Sequence, residues 1–104
     1  MNVFSALADP TRREIVALLA AGERNAGDIA SRFKMRGPSV SRHLRVLRES
    51  GVVSFKQHAQ ARIYRLEGPA LAEAKQWIEA QLDVLRERFD RLDAHLDAMK
   101  ERGD

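Results

Sequence analysis

Apolar positions recur along the chain at helical spacing, then at strand spacing, then at helical spacing again. Residues 2–7 place Val3, Phe4 and Leu7 on one or two helical turns. Asp9-Pro10 marks a restart, with Asp9 suited to cap a helix and Pro10 to open it, where a missing N–H is harmless. That helix is predicted from Pro10 to about Ala21, with Ile15, Val16, Leu18 and Leu19 as its buried side and Gly22 as its end. Asn25 caps a short third helix, with Asp28 three residues later approximating a capping box. Ile29, Ala30 and Phe33 form its apolar edge, and Lys34-Met35-Arg36-Gly37 links it onward. The next helix, from Gly37 to Arg48, puts Val40, Leu44 and Leu47 on one face at i, i+4, i+7 spacing. Its other face carries Ser41, Arg42, Arg45 and Glu49, Pro38 lies in its first turn, and Gly51 is its stop.

Past Gly51 the period shortens. Val52, Val53 and Phe55 begin an alternating segment, and Arg62-Ile63-Tyr64-Arg65-Leu66 is a second. Ile63 is expected inward, with Tyr64 and Leu66 as further candidates. Gln57 to Ala61 joins the two strands without an Asn-Gly or Asp-Gly signal, so a longer loop is expected at the tip of this hairpin. Gly68-Pro69 punctuates the chain, and nothing breaks a helix from Ala70 until Gly103. From Ile78 the apolar positions Leu82, Leu85, Phe89, Leu92, Leu96 and Met99 follow in alternating steps of four and three, the seam of a helix that packs lengthwise on another. About 30 helical residues span roughly 45 Å, more than so small a domain can cover. No second long helix exists for an intrachain hairpin. The seam is therefore expected to pack on a two-fold mate, through Val3, Phe4, Leu7, Ile78, Leu82, Leu85, Phe89 and Leu92, with Trp77 beside the join.

The predicted fold is mainly α with a small β-hairpin: a winged helix-turn-helix whose N- and C-terminal helices form a helical dimer. Residues 1–104 are read as a single DNA-binding domain, with 9–68 as the winged-helix core and 70–102 as the dimerisation helix. Two short helices joined by a tight link present the second to a DNA major groove. Ser41 and Arg42 are then the base-reading candidates, since Arg is the usual bidentate partner of guanine. Arg36, Arg45 and the hairpin residues Lys56, His58 and Arg62 are phosphate candidates, with Ser39 beside them at the helix start. Arg12 and Arg13 are read first as solvent or intradomain ion-pair residues and second as phosphate contacts. His43 lies beside the core face, so a structural hydrogen bond is expected of it.

Composition narrows the class. Hydrophobic residues make up 44% and charged residues 32%, as in a globular protein. Apolar runs are too short to span a membrane, and no basic-plus-apolar leader opens the chain, so a cytoplasmic location and no membrane partner are expected. With no Cys, disulfides, thiolate metal sites and thiol redox chemistry are excluded together. The net charge of +3 is segregated, with 12 Lys/Arg against 6 Asp/Glu in residues 1–68 and 6 against 9 in residues 69–104. The basic part suits a polyanion. The acidic, heptad-patterned tail keeps open an alternative, a winged-helix protein–protein interaction module that does not bind DNA. No enzyme and no cofactor are expected: His43, His58 and His95 are scattered, and no Gly-rich phosphate loop or recognisable nucleophile is present.

Three blocks in order carry a resemblance: Leu7-Ala8-Asp9-Pro10-Thr11-Arg12-Arg13, then Ser39 through Val53, then Arg62-Ile63-Tyr64-Arg65-Leu66. Over about residues 3–100 the chain resembles the ArsR/SmtB-type winged helix-turn-helix transcriptional repressors, and among them the cysteine-free SdpR-like branch. The resemblance implies a homodimer on a palindromic double-stranded DNA operator, released by a small-molecule or protein inducer that nothing in the sequence marks. The chain also departs from the family. Many members carry Cys-x-Cys where Asn25 and Gly27 stand, and Asp93-Ala94-His95 fits half of another family metal site, so no metal is expected. Where the family often has Ser followed by Gln, this chain has Arg36 and Gly37, which shifts base reading to Ser41 and Arg42. His43 stands where the family usually has His.

Overall fold

The computed structural model describes residues 2–103. Its elements run α1 (Val3–Leu7), α2 (Pro10–Ala20), β1 (Arg24–Asn25), α3 (Ala26–Phe33), α4 (Gly37–Glu49), β2 (Val53–His58), β3 (Ala61–Leu66) and α5 (Gly68–Glu101). The chain separates into two units, one ending at Ala74 and one beginning at Lys75.

In the first unit the starts of α1, α2 and α3 have a local cause. Asn2 Oδ1 accepts from the Ser5 N–H at 2.9 Å to start α1, and Asp9 Oδ2 accepts from the Arg12 N–H at 3.0 Å to start α2. Helix α1 is only 5 residues long, so most of its carbonyls lie at a C-terminus and lack helical partners. Arg12 and Arg13 supply them. Arg12 Nε donates to Ala6 O at 2.7 Å and Nη2 to Ser5 O at 3.1 Å, while Arg13 Nη1 donates to Leu7 O at 2.8 Å and Ala8 O at 3.1 Å. Cations suit this end of the helix dipole. The two arginines therefore tie α1 onto α2 through carbonyls, in place of the expected ion pairs. Asn25 caps α3 by accepting from the Asp28 N–H at 2.8 Å. The reciprocal half of the expected capping box is absent, because the Asp28 carboxylate takes Arg24 Nη1 at 2.8 Å instead.

Gly51 ends α4 with φ +80°, a conformation that disfavours any Cβ. There its N–H bonds Arg48 O at 3.0 Å and the Val52 N–H bonds Leu47 O at 3.0 Å, which closes the helix and turns the chain into β2. The core gathers Ala6, Ile15, Leu19, Ile29, Val40, Leu44, Leu47, Val52, Val53 and Tyr64 from α1, α2, α3, α4 and the sheet. Val16 and Leu18, expected to be buried, are half-buried at its edge. Val3 also packs against this core, Leu7 is half-buried and Phe4 is exposed, so α1 already serves its own chain.

The sheet corrects the sequence reading in three places. It has three antiparallel strands in the order β1-β3-β2, because Arg24 and Asn25 pair with Tyr64 and Ile63. The ladder between β2 and β3 continues to His58↔Ala61, so the expected long loop shrinks to a tip at Ala59 and Gln60, with Ala59 at φ +54°. Tyr64 faces the core at 5% exposure, whereas Ile63 lies on the other face. Strand residues alternate, so placing Tyr64 opposite Phe55, with ring centroids 5.5 Å apart, turns Ile63 away.

Helix α5 begins at Gly68, two residues before the expected start, since Pro69 is tolerated in a first turn. From Lys75 onward the second unit is this helix alone. Ile78, Leu82, Leu85, Phe89, Leu92 and Leu96 are all exposed on it. Arg86–Asp83 at 3.1 Å and Arg91–Glu87 at 3.7 Å pair along its surface. Among the described residues no helix is long and apolar enough to cross a membrane.

Replacing Gly51 by Ala forces a Cβ into the left-handed region. It is expected to lower unfolding stability by about 1–2 kcal/mol, read from the midpoint of a urea denaturation curve. An unchanged midpoint would contradict this account of the α4 stop.

Candidate nucleic-acid interface

Burial of one face of α4 determines the other. Val40, Leu44 and Leu47 are 2%, 1% and 0% exposed, which leaves Ser41, Arg42 and Arg45 in solvent, with Arg48 a turn further on. Arg36 occupies the N-cap with no side-chain hydrogen bond, and Ser39 is half-buried in the first turn. Among the described residues the side chains of Arg36, Arg42 and Arg45 make no hydrogen bond or ion pair, so this face carries unneutralised charge. Guanidiniums with open donors are the groups that bind phosphate and guanine edges.

The hairpin β2–β3 divides its cations between two faces. Lys56 and His58 share the face of Ile63 and Arg65 and are exposed. Arg62 shares the face of Phe55 and Tyr64, and its guanidinium carbon lies 4.5 Å from the Phe55 ring centroid. A groove between the start of α3, α4 and the hairpin is lined by Asn25, Ser41, Gln57, Gln60 and Arg62. The structure thus brings Ser41 and Arg62 to one groove and sets Lys56 and His58 apart from it. Arg65 is fixed at the base of the hairpin, where its Nε donates to Ser54 Oγ at 3.2 Å and Glu67 Oε1 at 3.1 Å. Ser54 Oγ also donates to Glu67 Oε1.

Arg12 and His43 meet behind α4. His43 is half-buried, with Nδ1 3.5 Å from Arg12 Nη1, the intrachain partner expected from its place beside the core face. The backbone N–H of Arg12 holds the Asp9 carboxyl below its ordinary 3.8, with the charge of Arg12 adding to the effect. The hydroxyl of Ser54 does the same for Glu67 relative to 4.5, with Arg65 second.

Sequence reading gave no role to Arg48 or Phe55. Arg48 follows Arg45 by three positions, so the helical period does place it near the cationic face. Its guanidinium carbon lies 5.3 Å from the Phe55 ring centroid, a contact between two elements that no local pattern announces. Among the described residues no group of three or more His, Asp or Glu could hold a metal ion, Asp93 and His95 included.

Residues 9–54 match the family described as bacterial regulatory proteins of the arsR family. Over 77 residues the chain is 42% identical to the transcriptional repressor SdpR of Bacillus subtilis, a match covering 74% of this chain and 86% of that protein. The chain belongs to the ArsR family. An ArsR-like transcriptional regulator from Rhodococcus superposes on this ArsR-family chain with a TM-score of 0.76 at 27% identity, covering 86% of this chain and 85% of its own. The homodimeric winged helix-turn-helix DNA-binding domain of a possible ArsR-family regulator from Mycobacterium bovis superposes with a TM-score of 0.64 at 31% identity, over 78% and 75% of the two chains. The chain spans 66% and 60% of two longer curated relatives. The family match begins at Asp9, the cap of α2, and ends in β2. It therefore takes in α4 and its exposed face, and this ArsR-family protein is a transcriptional regulator of the DNA-binding type.

Folding lowers the proton affinity of both Asp9 and Glu67. Their stabilisation is therefore complete above the unfolded values and is lost as pH falls through the folded ones. The melting temperature is expected to hold from pH 7 to about 5 and to drop below about 4. Asp9→Ala should start lower and drop less over the same range. A variant that melts in parallel with the wild type at every pH would contradict the role given to Asp9.

Proposed function

We propose that this chain is a homodimeric transcriptional repressor that binds a two-fold symmetric operator in double-stranded DNA. The observation that carries this reading is the face of α4, cationic and unneutralised, held outward by three fully buried residues on the opposite side. In this reading α4 enters the major groove. Ser41 and Arg42 read base edges, while Arg36, Ser39, Arg45, Lys56, His58 and Arg62 bind the backbone and set the register. The 1–104 chain acts as one DNA-binding domain in the cytoplasm, without a cofactor, and relief of repression falls to a small-molecule or protein inducer.

The dimer rests on α5 and α1. A single helix cannot bury a stripe formed by Ile78, Leu82, Leu85, Phe89 and Leu92, and its steps of four and three suit a second copy of the same helix. Val3, Phe4 and Leu7 of α1 extend the contact. The repressor function of SdpR and the homodimer from Mycobacterium bovis support the reading.

Arg42→Ala is expected to cost about 1–3 kcal/mol in operator binding and to relax base preference at one position of each half-site, measured by anisotropy against single-base operator variants. An unchanged preference would remove Arg42 from base reading. Leu85→Arg places an unpaired charge in the proposed seam. Sedimentation should then show monomers, with operator affinity lost alongside. A stable dimer would exclude α5 as the interface.

A further inference from the structure

Phe55 gathers two cations from different elements. The guanidinium carbon of Arg62, on β3, lies 4.5 Å from its ring centroid, and that of Arg48, in the last turn of α4, lies 5.3 Å away. Neither guanidinium has a carboxylate or hydrogen-bond partner among the described residues. An aromatic face attracts a guanidinium through its quadrupole and leaves the N–H donors open at the rim. The ring is itself fixed, because the buried Tyr64 packs against it with centroids 5.5 Å apart. Two like charges brought to one ring repel each other, a cost that an anion beside them offsets. Arg62 also lines the groove that holds Asn25, Ser41, Gln57 and Gln60, uncharged groups able to hydrogen-bond phosphate oxygens.

We propose that Phe55 is a positioning residue for DNA: its ring holds Arg62 of the hairpin and Arg48 of α4 as a paired clamp on backbone phosphates beside the reading helix. The proposal rests on the DNA-binding reading above. Stacking orders each guanidinium before the duplex arrives, so less side-chain freedom is lost on binding. It also couples the angle of the hairpin to α4. The clamp contacts phosphates alone, so it adds affinity and salt dependence without sequence preference.

The test is anisotropy of the full chain with a labelled duplex enriched from a random pool by the wild-type protein, repeated across a potassium chloride series. Phe55→Leu is expected to weaken binding about two- to fivefold. It should also flatten the slope of log affinity against log salt by up to about one per protomer. Phe55→Tyr keeps the ring and should bind as the wild type does. Added to Arg48→Ala/Arg62→Ala, Phe55→Leu should change nothing further. Arg62→Lys keeps the charge but not the planar stack. It should lose affinity as Phe55→Leu does, and as an exposed substitution it stands in if Phe55→Leu does not fold. Additive losses in the triple variant, or wild-type affinity for Arg62→Lys, would overturn the positioning role while leaving DNA binding intact. A wild-type protein that enriches no duplex would overturn the DNA reading and the clamp with it.

Discussion

Val40, Leu44 and Leu47 tie the exposed cationic face of α4 to the core. Each is fully buried, and each such side chain contributes about 1.5–3 kcal/mol of hydrophobic stabilisation. Rotating α4 about its axis would expose all three at once, so the rotation that presents Ser41, Arg42 and Arg45 is set by the same packing that holds the domain together. The Gly51 stop and the turn into β2 extend that constraint to the hairpin. Val52 and Val53 enter the core directly after α4, and the strand that follows starts from a fixed position.

The block from Leu7 to Arg13 has a structural explanation. Asp9 caps α2, Pro10 opens it, and Arg12 and Arg13 complete the carbonyls of a helix too short to complete its own. These arginines resemble phosphate ligands in a basic sequence, yet their donors point into the chain. Arg12 also reaches His43 on α4, which links the N-terminal helix to α4. A basic residue count therefore overstates the charge left unpartnered. The guanidiniums of Arg36, Arg42 and Arg45 have no such partner among the described residues.

Much of this was legible in the sequence because helical period and capping chemistry are local. The burial of Val40, Leu44 and Leu47, the cap at Asp9 and the stop at Gly51 all follow from spacing and residue type. Strand β1 was not legible, since two residues before a helix cap carry no period of their own. The inward choice between Ile63 and Tyr64 failed for a related reason. Both are β-prone, and only the cross-strand partner Phe55 decides which one turns to the core. At the candidate interface, the outward residues of α4 were legible, but the separation of Arg62 from Lys56 and His58 depends on strand register. The gathering of Arg48 and Arg62 on one ring depends on tertiary packing.

In the proposed dimer two identical copies of α4 meet one duplex, so the DNA itself should report the symmetry. Enrichment of bound duplexes from a random pool by the wild-type protein tests this most directly. The account predicts a two-fold symmetric motif with half-site centres one helical turn, roughly 34–36 Å, or a multiple of it apart. Enrichment of no motif, or of a lone asymmetric half-site, would contradict it.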